Sequence, residues 1–349
     1  MPSKKVVSLL LISLALFLAG CSSGGSGNST SSGGSSGETG VPSVTTEQVA
    51  HGDVLDAMKG KRILFVPVAL GAPSTDRWNT EFKSIFGQLG ADYEVANPNF
   101  NTNNMISIIN SHIAAHNVDM LILQPPDVSV LDTQIEAAKK AGIYVIVLSE
   151  FSDATGDAYV GPNLQQMAQA LGQNMVTRCK AEGKNQVAII DGYGTDAFSI
   201  LTNAGWIPVF KAAGLKIVSE QEGQYDPTLS NKIAATVLQQ HPDLCAFAVN
   251  LDLGAIGVGN AIQQAGDKGK VGVYTIDDGS FLCPALQSGL ITETADFNLP
   301  GIGVAVGAVA QNLFELGKPA GSTRTVAFSP YTIVNGSDVH NTPGTCYTG

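Results

Sequence analysis

The sequence predicts an α/β protein made of two doubly wound lobes, each built around a parallel sheet. From residue 61 onward, short apolar runs alternate with amphipathic helical segments, a pattern typical of right-handed βαβ units. The alternation occurs in two successive sets, which indicates two sheets. The roughly 300 residues in this part of the chain are enough for two packed cores.

The first set ends near residue 150. Its predicted strands span residues 62–70, 93–97, 120–124 and 144–149. Its predicted helices span residues 80–89, 105–116 and 133–141, between successive strands.

The second set repeats the scheme. Its predicted helices span residues 163–182, 196–213, 228–240 and 254–265. Its predicted strands span residues 187–191, 216–221, 245–250 and 271–277, followed by an extended segment over 291–295. Because ligands of doubly wound sheets bind at the carboxyl ends of the strands, we expect the functional site there.

Residues 1–20 are predicted to be a secretory signal peptide. Two lysines precede an apolar run over residues 6–17, which is too short for a comfortable membrane span. Leu-Ala-Gly at residues 18–20, followed by Cys21, resembles the bacterial lipobox, in which the cysteine is acylated and becomes the mature N-terminus. The alternative is an ordinary signal peptide with an incidental cysteine. The resemblance implies an extracytoplasmic protein, in the periplasm or on the outer face of the cytoplasmic membrane, anchored by lipid on Cys21.

The segment that follows the signal peptide predicts a flexible tether over residues 21–46. It is rich in Gly, Ser and Thr and has almost no large apolar side chains. Such a segment cannot bury enough surface to order itself. We therefore expect it to connect the lipid to the folded part.

The mature chain is strongly acidic. Loss of residues 1–20 removes two of the 19 basic residues and none of the 30 acidic ones, so the net charge changes from −11 to −13. Nucleic acid and anionic lipid are bound through patches of Lys and Arg, so the charge excludes both as partners. No further apolar stretch of about 18 residues is expected to add a membrane span.

Four cysteines remain once Cys21 is assigned to lipidation. An even number in an exported protein favours disulfides. Cys179 lies near the end of a predicted helix just before a strand, and Cys245 opens another strand. Since the starts of neighbouring parallel strands lie close together, a bond between Cys179 and Cys245 is favoured, which leaves Cys283 for Cys346. A metal site is the alternative, weakened because the chain has no Cys-x-x-Cys pair.

Polar side chains follow most of the predicted strands. They are Ser149 and Glu150, Asp191, Tyr225 and Asp226, Asn250 and Asp252, Asp277 and Asp278, and Asn298. Carboxylates and amides form paired hydrogen bonds with vicinal hydroxyls, and aromatic faces stack on the C–H side of a sugar ring. The pattern favours a sugar ligand.

Several short motifs, in their order and spacing, carry a resemblance to a known family. They are Leu-Ile-Leu-Gln-Pro-Pro-Asp at 121–127, Ala-Gly-Ile-Tyr-Val-Ile-Val-Leu at 141–148, His-Pro-Asp at 241–243, Asn250, Thr-Ile-Asp-Asp-Gly at 275–279, and Asn-Leu-Pro at 298–300. From about residue 62 to 334 the chain resembles the periplasmic binding proteins of the ribose and galactose type, which are type I solute-binding proteins of ABC importers. The resemblance implies that Asn250 and Asp277 hydrogen-bond the sugar, that Asn298 does so beside a hinge, and that Tyr225 is the aromatic near the ligand.

The chain departs from the family pattern in ways that concern the ligand. Ser149 and Glu150 stand where the family has an Asp-Arg pair, and residues 198–203 lack the arginine expected there. The family places two adjacent aromatics near its first strand, whereas Trp78 can serve here only through a remodelled loop. A site without arginine and with Glu150 is acidic, so a polyol, a nucleoside or a cationic ligand is also possible. Glu150 as a solvated strand-end carboxylate is the alternative.

The resemblance also implies how the lobes are connected. Three crossovers, near residues 159–163, 298–301 and 327–331, form a three-strand hinge. The N-terminal lobe then comprises residues 61–160 and 299–328, and the C-terminal lobe residues 161–298 and 329–349. Trp78, Ser149 and Glu150 belong to the first of these, and Tyr225, Asn250 and Asp277 to the second.

The implied protein is a lipid-anchored solute-binding protein and not an enzyme. It captures a sugar or polyol as a monomer, without a cofactor or metal, and delivers it to an ABC permease. The alternatives are a ligand-sensing receptor subunit of a signalling system with the same fold, and a glycan-processing enzyme. His112 and His116 share a helix face, but Ile113 stands where a metalloprotease motif requires glutamate, which favours an ordinary polar face over a zinc site.

Overall fold

Two six-stranded sheets form the frame of the protein. The computed structural model describes residues 56–277, 279 and 281–341. The strands are β1 Arg62–Val66, β2 Asp92–Val95, β3 Met120–Leu123, β4 Tyr144–Leu148, β5 Ala158–Pro162, β6 Gln186–Asp191, β7 Lys216–Glu222, β8 Leu244–Val249, β9 Gly272–Ile276, β10 Glu293–Asp296, β11 Thr325–Ser329 and β12 Thr332–Asn335.

Helices separate most of these strands along the chain. They are α1 Pro73–Gln88, α2 Thr102–Ala115, α3 Asp132–Lys140, α4 Leu164–Ala181, α5 Ala197–Ala213, α6 Pro227–Gln240, α7 Asp252–Ala265, α8 Leu282–Gln287, α9 Leu299–Leu316 and α10 Gly336–Asn341.

The two sheets have the same strand order. We call the sheet β11-β5-β4-β3-β1-β2, with its helices, the first lobe, and the sheet β12-β10-β9-β8-β6-β7, with its helices, the second lobe. Among the described strands every pair is parallel except β10 and β12. The strand order reverses between β1 and β3 and between β6 and β8, which is where doubly wound sheets bind ligands. The predicted fold class is confirmed.

The chain passes between the lobes three times. β5 of the first lobe is followed by α4, which packs on strands of the second lobe. β10 of the second lobe is followed by α9, which packs on α1 of the first lobe. A short turn then joins β11 of the first lobe to β12 of the second. These three connections form the hinge.

The first helix begins earlier than the sequence pattern indicates. α1 starts at Pro73 and not near residue 80, because proline is favoured at a first helical position, where the missing N–H has no intrahelical acceptor. β1 ends at Val66, before residue 70. Trp78 therefore lies within α1, and the expectation of a remodelled loop is wrong.

Several short elements were not predicted, namely β5, α8, β11, β12 and α10. β5 has the sequence Ala-Tyr-Val-Gly-Pro, and its glycine and proline are unusual in strands. All of its residues are nevertheless buried, because it lies between β4 and β11. Position within the sheet outweighs local propensity here.

α9 corrects the expectation that no further segment has the length and composition of a membrane span. It is the only helix of the described residues that meets both criteria. Its buried residues, which include Ile302, Val306 and Ala310, belong to the largest apolar core cluster. Burial inside the protein covers 39% of this helix, and Val304 on its other side is exposed.

The predicted bond between Cys179 and Cys245 is present. It joins α4 to β8, with the two Cα atoms 5.6 Å apart. The first residues of β6 and β8 are paired in the sheet, as the prediction required, with Gln186 beside Leu244. Cys283 is also disulfide-bonded, while its predicted partner Cys346 lies outside the described residues.

Candidate functional site

A cavity of about 510 Å³ lies at the carboxyl ends of the strands of both sheets, and we call it the central cavity. Side chains of the first lobe form one wall and side chains of the second lobe form the other. Its lining consists of Val68, Ala72, Ser74, Trp78, Pro98, Phe100, Asn101, Thr102, Met105, Gln124, Pro125, Pro126, Ser149, Glu150, Tyr193, Asp196, Phe198, Gln224, Tyr225, Leu251, Asp252, Leu253, Asp277, Gly279, Phe281 and Phe297.

The structure brings five of the seven sequence-predicted ligand residues together around this cavity. They are Trp78, Ser149, Glu150, Tyr225 and Asp277. Asn250 and Asn298 are not part of the lining. Whether any of the seven contacts a ligand stays a prediction.

Trp78 forms part of the first-lobe wall. It is only 1% exposed, because α1 packs it into the core of that lobe. Its indole Nε1 is buried and has no hydrogen-bond partner among the described residues. Trp78 therefore offers the cavity an aromatic face and one donor.

Ser149 and Glu150 form a tight turn after β4. Ser149 has a left-handed backbone, with φ of 63°, and its carbonyl oxygen accepts a hydrogen bond of 2.9 Å from the Tyr159 hydroxyl. Gly161 allows the strands to approach, because a Cβ there would lie 2.7 Å from the Ser149 Cα. The turn aims Glu150 at the second lobe.

Glu150 reaches the beginning of α5. Its carboxylate accepts a hydrogen bond from the backbone N–H of Phe198, and its Oε2 atom is buried without a hydrogen-bond partner among the described residues. Burial, together with the negative charge of Asp196, raises the pKa of Glu150 to about 8. The prediction that this carboxylate belongs to the site agrees with its place in the lining; it is not a strand-end group in bulk solvent.

Tyr225 and Asp196 form the centre of the second-lobe wall. The Tyr225 hydroxyl donates a 2.7 Å hydrogen bond to Asp196 Oδ2, and burial beside this carboxylate raises the pKa of Tyr225. Asp196 also caps α5, where its Oδ1 accepts a 2.6 Å hydrogen bond from the Ser199 N–H. The aspartate thus fixes the orientation of both the helix and the tyrosine ring.

Asp252 and Asp277 form a second pair of acidic side chains. Asp277 follows β9, Asp252 begins α7, and a side-chain hydrogen bond joins them. Asp252 is 4% exposed, and this burial raises its pKa. Two carboxyl groups in such contact hold a proton between them more readily than isolated ones.

Asn250 lies behind the cavity wall. It is 1% exposed, and its Nδ2 donates a 2.8 Å hydrogen bond to Ser199 Oγ. The same hydroxyl accepts a 3.1 Å hydrogen bond from the N–H of Gly192. In this structure Asn250 supports the loop that carries the wall.

Asn298 caps a helix at the hinge. Its backbone is left-handed, with φ of 57°, and its Oδ1 accepts a 3.1 Å hydrogen bond from the Gly301 N–H at the start of α9. Its own N–H donates to Asp296 Oδ1 at 2.8 Å. This asparagine therefore fixes the direction of one of the three connections.

Sequence reasoning did not select Asp196, Phe198 or Asp252 as site residues. Asp252 could have been selected, because it is a polar residue just after a strand, which is the criterion that selected Asn250. Asp196 showed only the pattern of a helix N-cap, which is common at helices that have no binding role. Phe198 carried no signal.

The two lobes are in direct contact at the edge of the cavity. Besides the bond from Phe198 to Glu150, a side-chain hydrogen bond joins Thr195 of the second lobe to Asp127 of the first. The backbone N–H of Ser129, which donates to Asp127 Oδ1 at 3.0 Å, lowers the pKa of Asp127, and the bond from Thr195 lowers it further. Both contacts join the two lobes at this edge of the cavity.

Aromatic side chains surround the mouth of the cavity. Phe100 is 74% exposed, Phe281 49% and Tyr193 47%, although all three line the cavity. Within the described part of the chain no group of three or more His, Cys, Asp or Glu side chains is arranged to hold a metal ion. The arrangement offers apolar faces and carboxylates to an organic ligand.

Comparison with known proteins identifies related sequences. A family model described as a periplasmic binding protein domain matches residues 63–319. The D-ribose/D-allose-binding protein of Pseudomonas aeruginosa is 32% identical over 202 residues, which are 56% of this chain and 62% of that protein. The D-allose-binding periplasmic protein of Escherichia coli is 30% identical over 178 residues, 48% of this chain and 57% of that protein. The matches thus cover less than two thirds of these relatives.

Solved structures share the fold. A periplasmic ribose ABC transporter protein from Conexibacter woesei superimposes with a TM-score of 0.74 and 21% identity, over 81% of this chain and 94% of that one. A solute-binding protein from Burkholderia graminis in complex with D-arabinose gives a TM-score of 0.72 and 21% identity, over 84% and 99%.

Proposed function

Because this chain belongs to the periplasmic binding protein domain family, we propose that it is an extracytoplasmic solute-binding protein of an ABC importer. It captures a small polyhydroxylated ligand, a sugar or polyol, and delivers it to the permease. Recognition is its whole task, and no bond is made or broken. The named relatives bind ribose or allose, which supports a ligand of that class.

The central cavity carries this proposal. It has walls from both lobes, and its volume of about 510 Å³ is in the usual range for small-molecule sites. A ligand that touches both walls binds the closed form more tightly than the open one. It therefore shifts the hinge equilibrium toward closure.

Both walls contribute recognition groups of two kinds, aromatic and hydrogen-bonding. Trp78 and Tyr225 present aromatic faces to the C–H side of a ring, while Ser149, Glu150 and Asp277 bond its hydroxyls. Asn250 and Asn298 affect binding without touching the ligand. Asn250 supports the second-lobe wall through Ser199, and Asn298 fixes the start of α9 at the hinge.

We also propose that two bodies move about the hinge. Residues 61–160 with 299–328 form one, and residues 161–298 with 329–349 form the other. The packing of α9 on α1 and the pairing of β11 with β5 support assigning 299–328 to the first body.

Asp277→Ala is expected to weaken ligand binding about 5- to 150-fold, because loss of a buried hydrogen-bonding partner costs about 1–3 kcal/mol. Asn250→Ala is expected to have a similar effect, through Ser199. A thermal-shift screen of the mature protein against pentoses, hexoses and polyols identifies the ligand, and calorimetry then gives the dissociation constants.

Asp243→Ala is the matched control, since it removes an exposed carboxylate of the second lobe outside the cavity. Wild-type affinity in Asp277→Ala would refute the assigned site. Failure of every sugar and polyol to raise the melting temperature would refute the ligand class.

Cys21→Ala is expected to release the protein from the membrane, since we propose that lipid on Cys21 is its anchor. The lipobox-like residues 18–21 support this proposal. Membrane fractionation, with and without globomycin to block lipoprotein processing, measures the effect. Ser22→Ala is the control and keeps the attachment. Membrane retention of Cys21→Ala equal to the wild type would exclude the lipid anchor.

A further inference from the structure

The central cavity has an unbalanced charge. Four carboxyl side chains line it, and no Lys, Arg or His does so among the described residues; the four are Glu150, Asp196, Asp252 and Asp277. Carboxylates in a cleft with apolar walls create a concentrated negative potential. Such a cavity favours a cation over a neutral molecule and repels an anion.

Glu150 is the one of these four acids with a buried oxygen that has no hydrogen-bond partner among the described residues. Its Oε2 atom is buried and has no hydrogen-bond partner in the described part of the chain, and the other contact of the carboxylate is a backbone N–H, which carries no full charge. The titratable groups that face it are Asp196 before α5, Tyr225 before α6 and Tyr159 on β5. None of the three supplies a positive charge.

The second-lobe wall supplies no positive charge to balance that of Glu150 either. Asp196 already accepts hydrogen bonds from Tyr225, Ser199 and the N–H of Tyr193, so its donors are all neutral. Asp252 and Asp277 are joined to each other by a side-chain hydrogen bond. A ligand that brings only hydroxyl groups supplies hydrogen bonds but no positive charge. Glu150 must then stay ionised without a counter-charge, which is costly, or take up a proton.

We propose that the ligand is a sugar or polyol that carries a primary amino group, and that its ammonium pairs with the Glu150 carboxylate. This rests on the proposed function and narrows its ligand class. An ammonium group supplies three hydrogen-bond donors and a full positive charge. One of its N–H groups can donate to Glu150 Oε2, which has no other hydrogen-bond partner among the described residues. Trp78 and Tyr225 still stack on the carbon skeleton of the ligand.

The test compares amino ligands with their neutral parents by calorimetry on the mature protein. The pairs are D-glucosamine with D-glucose, D-galactosamine with D-galactose, D-mannosamine with D-mannose, and D-glucamine with D-sorbitol; D-ribose and D-allose are measured beside them. At least one amino ligand is expected to bind at least about tenfold more tightly than its parent, as a charge-assisted bond provides. Glu150→Gln is expected to remove that preference, whereas Glu222→Gln, a carboxylate outside the cavity, keeps it.

A second measurement uses the wild type alone and stays informative if Glu150→Gln does not fold. Burial and the charge of Asp196 raise the pKa of Glu150 to about 8 in the ligand-free structure. If opening of the lobes exposes this carboxyl group to solvent, closing on a neutral sugar at pH 7 is expected to take up a proton. Affinity for the neutral sugar then falls as the pH rises toward 8. An ammonium keeps Glu150 ionised, so no proton uptake at this residue is expected. Calorimetry in two buffers of different ionisation enthalpy counts the protons.

The outcomes separate the two claims. Tight binding of neutral sugars, with no amino ligand better than its parent, overturns the amino-ligand inference and leaves the solute-binding function standing. Equal preference for the amino ligand in Glu150→Gln and wild type overturns the role of Glu150. Binding of none of the sugars, polyols or amino compounds overturns both the inference and the sugar or polyol class on which it rests.

Discussion

Replacing Cys179 and Cys245 together by alanine is expected to lower the free energy of unfolding by about 4 kcal/mol. The bond joins residues 66 positions apart, and closing a loop of that length in the unfolded chain corresponds to about 4 kcal/mol in the chain-entropy model. Both half-cystines are completely buried, one on α4 and the other on β8. Urea denaturation under non-reducing conditions measures the difference.

The matched control for this variant is the same pair of proteins with a reducing agent. The wild type then loses the same link, so the two unfolding curves are expected to come close together. Any reduction at Cys283 affects both proteins alike. A double variant as stable as the oxidised wild type would show that the bond contributes nothing to the stability of the second lobe.

Gly192→Ala is expected to destabilise the protein by about 3 kcal/mol and to distort the second-lobe wall of the cavity. A Cβ at this position would lie 2.0 Å from Tyr225 Cζ and 2.3 Å from its hydroxyl oxygen, so the ring must move. Overpacking typically costs about 1–3 kcal/mol. Movement of the ring also breaks the hydrogen bond to Asp196, which is worth about 1.5–3 kcal/mol because the acceptor is charged. Urea denaturation gives the stability, and calorimetry with the ligand found in the screen gives the affinity.

Gly194→Ala is a close control, two residues along the same loop. A Cβ there meets only Glu222 Oε1, at 2.9 Å, which is the end of an exposed and flexible side chain. We expect a change within about 0.5 kcal/mol, as for ordinary surface substitutions. Equal stability of the two alanine variants would contradict the tight packing of Tyr225 on Gly192.

The effect expected of Gly192→Ala and the amino-ligand inference both concern the start of α5. Asp196 caps this helix, holds Tyr225 and faces Glu150 of the other lobe. Two carboxylates therefore lie beside a single helix N-terminus. The positive end of the helix dipole favours one negative charge there, and a second requires a cation or a proton.

The sequence alone predicted the fold class and the edge of the sheets where the cavity lies. Alternating apolar runs and amphipathic helices indicate βαβ units. This pattern is visible in short stretches of sequence, so it can be recognised without knowing which distant residues are in contact. The disulfide between Cys179 and Cys245 was also predictable, since parallel strands that start together bring their first residues together. Trp78, Ser149, Glu150, Tyr225 and Asp277 were chosen on family resemblance and position, and all five line the cavity.

Short elements and side-chain directions were beyond such reasoning. β5 contains a glycine and a proline and is a strand only because β4 and β11 lie on either side of it. Asn250 and Asn298 follow strands as the other candidates do, yet one turns toward Ser199 and the other caps α9. A backbone rotation at one or two residues decides between these directions, and strand-end position does not encode it.

The architecture of this protein was therefore predictable from its sequence, because the spacing of apolar residues along the chain shows which faces of the strands and helices are buried. The sequence also indicated an acidic site, but which of its acids lie side by side, and so how they are protonated, depends on the fold. Glu150 and Asp196 are 46 positions apart in the sequence and belong to different lobes. Their mutual effect on protonation exists because the fold places them close together where little water reaches. Electrostatic interaction depends on distance through space and on solvent exclusion, and neither is recorded in residue order.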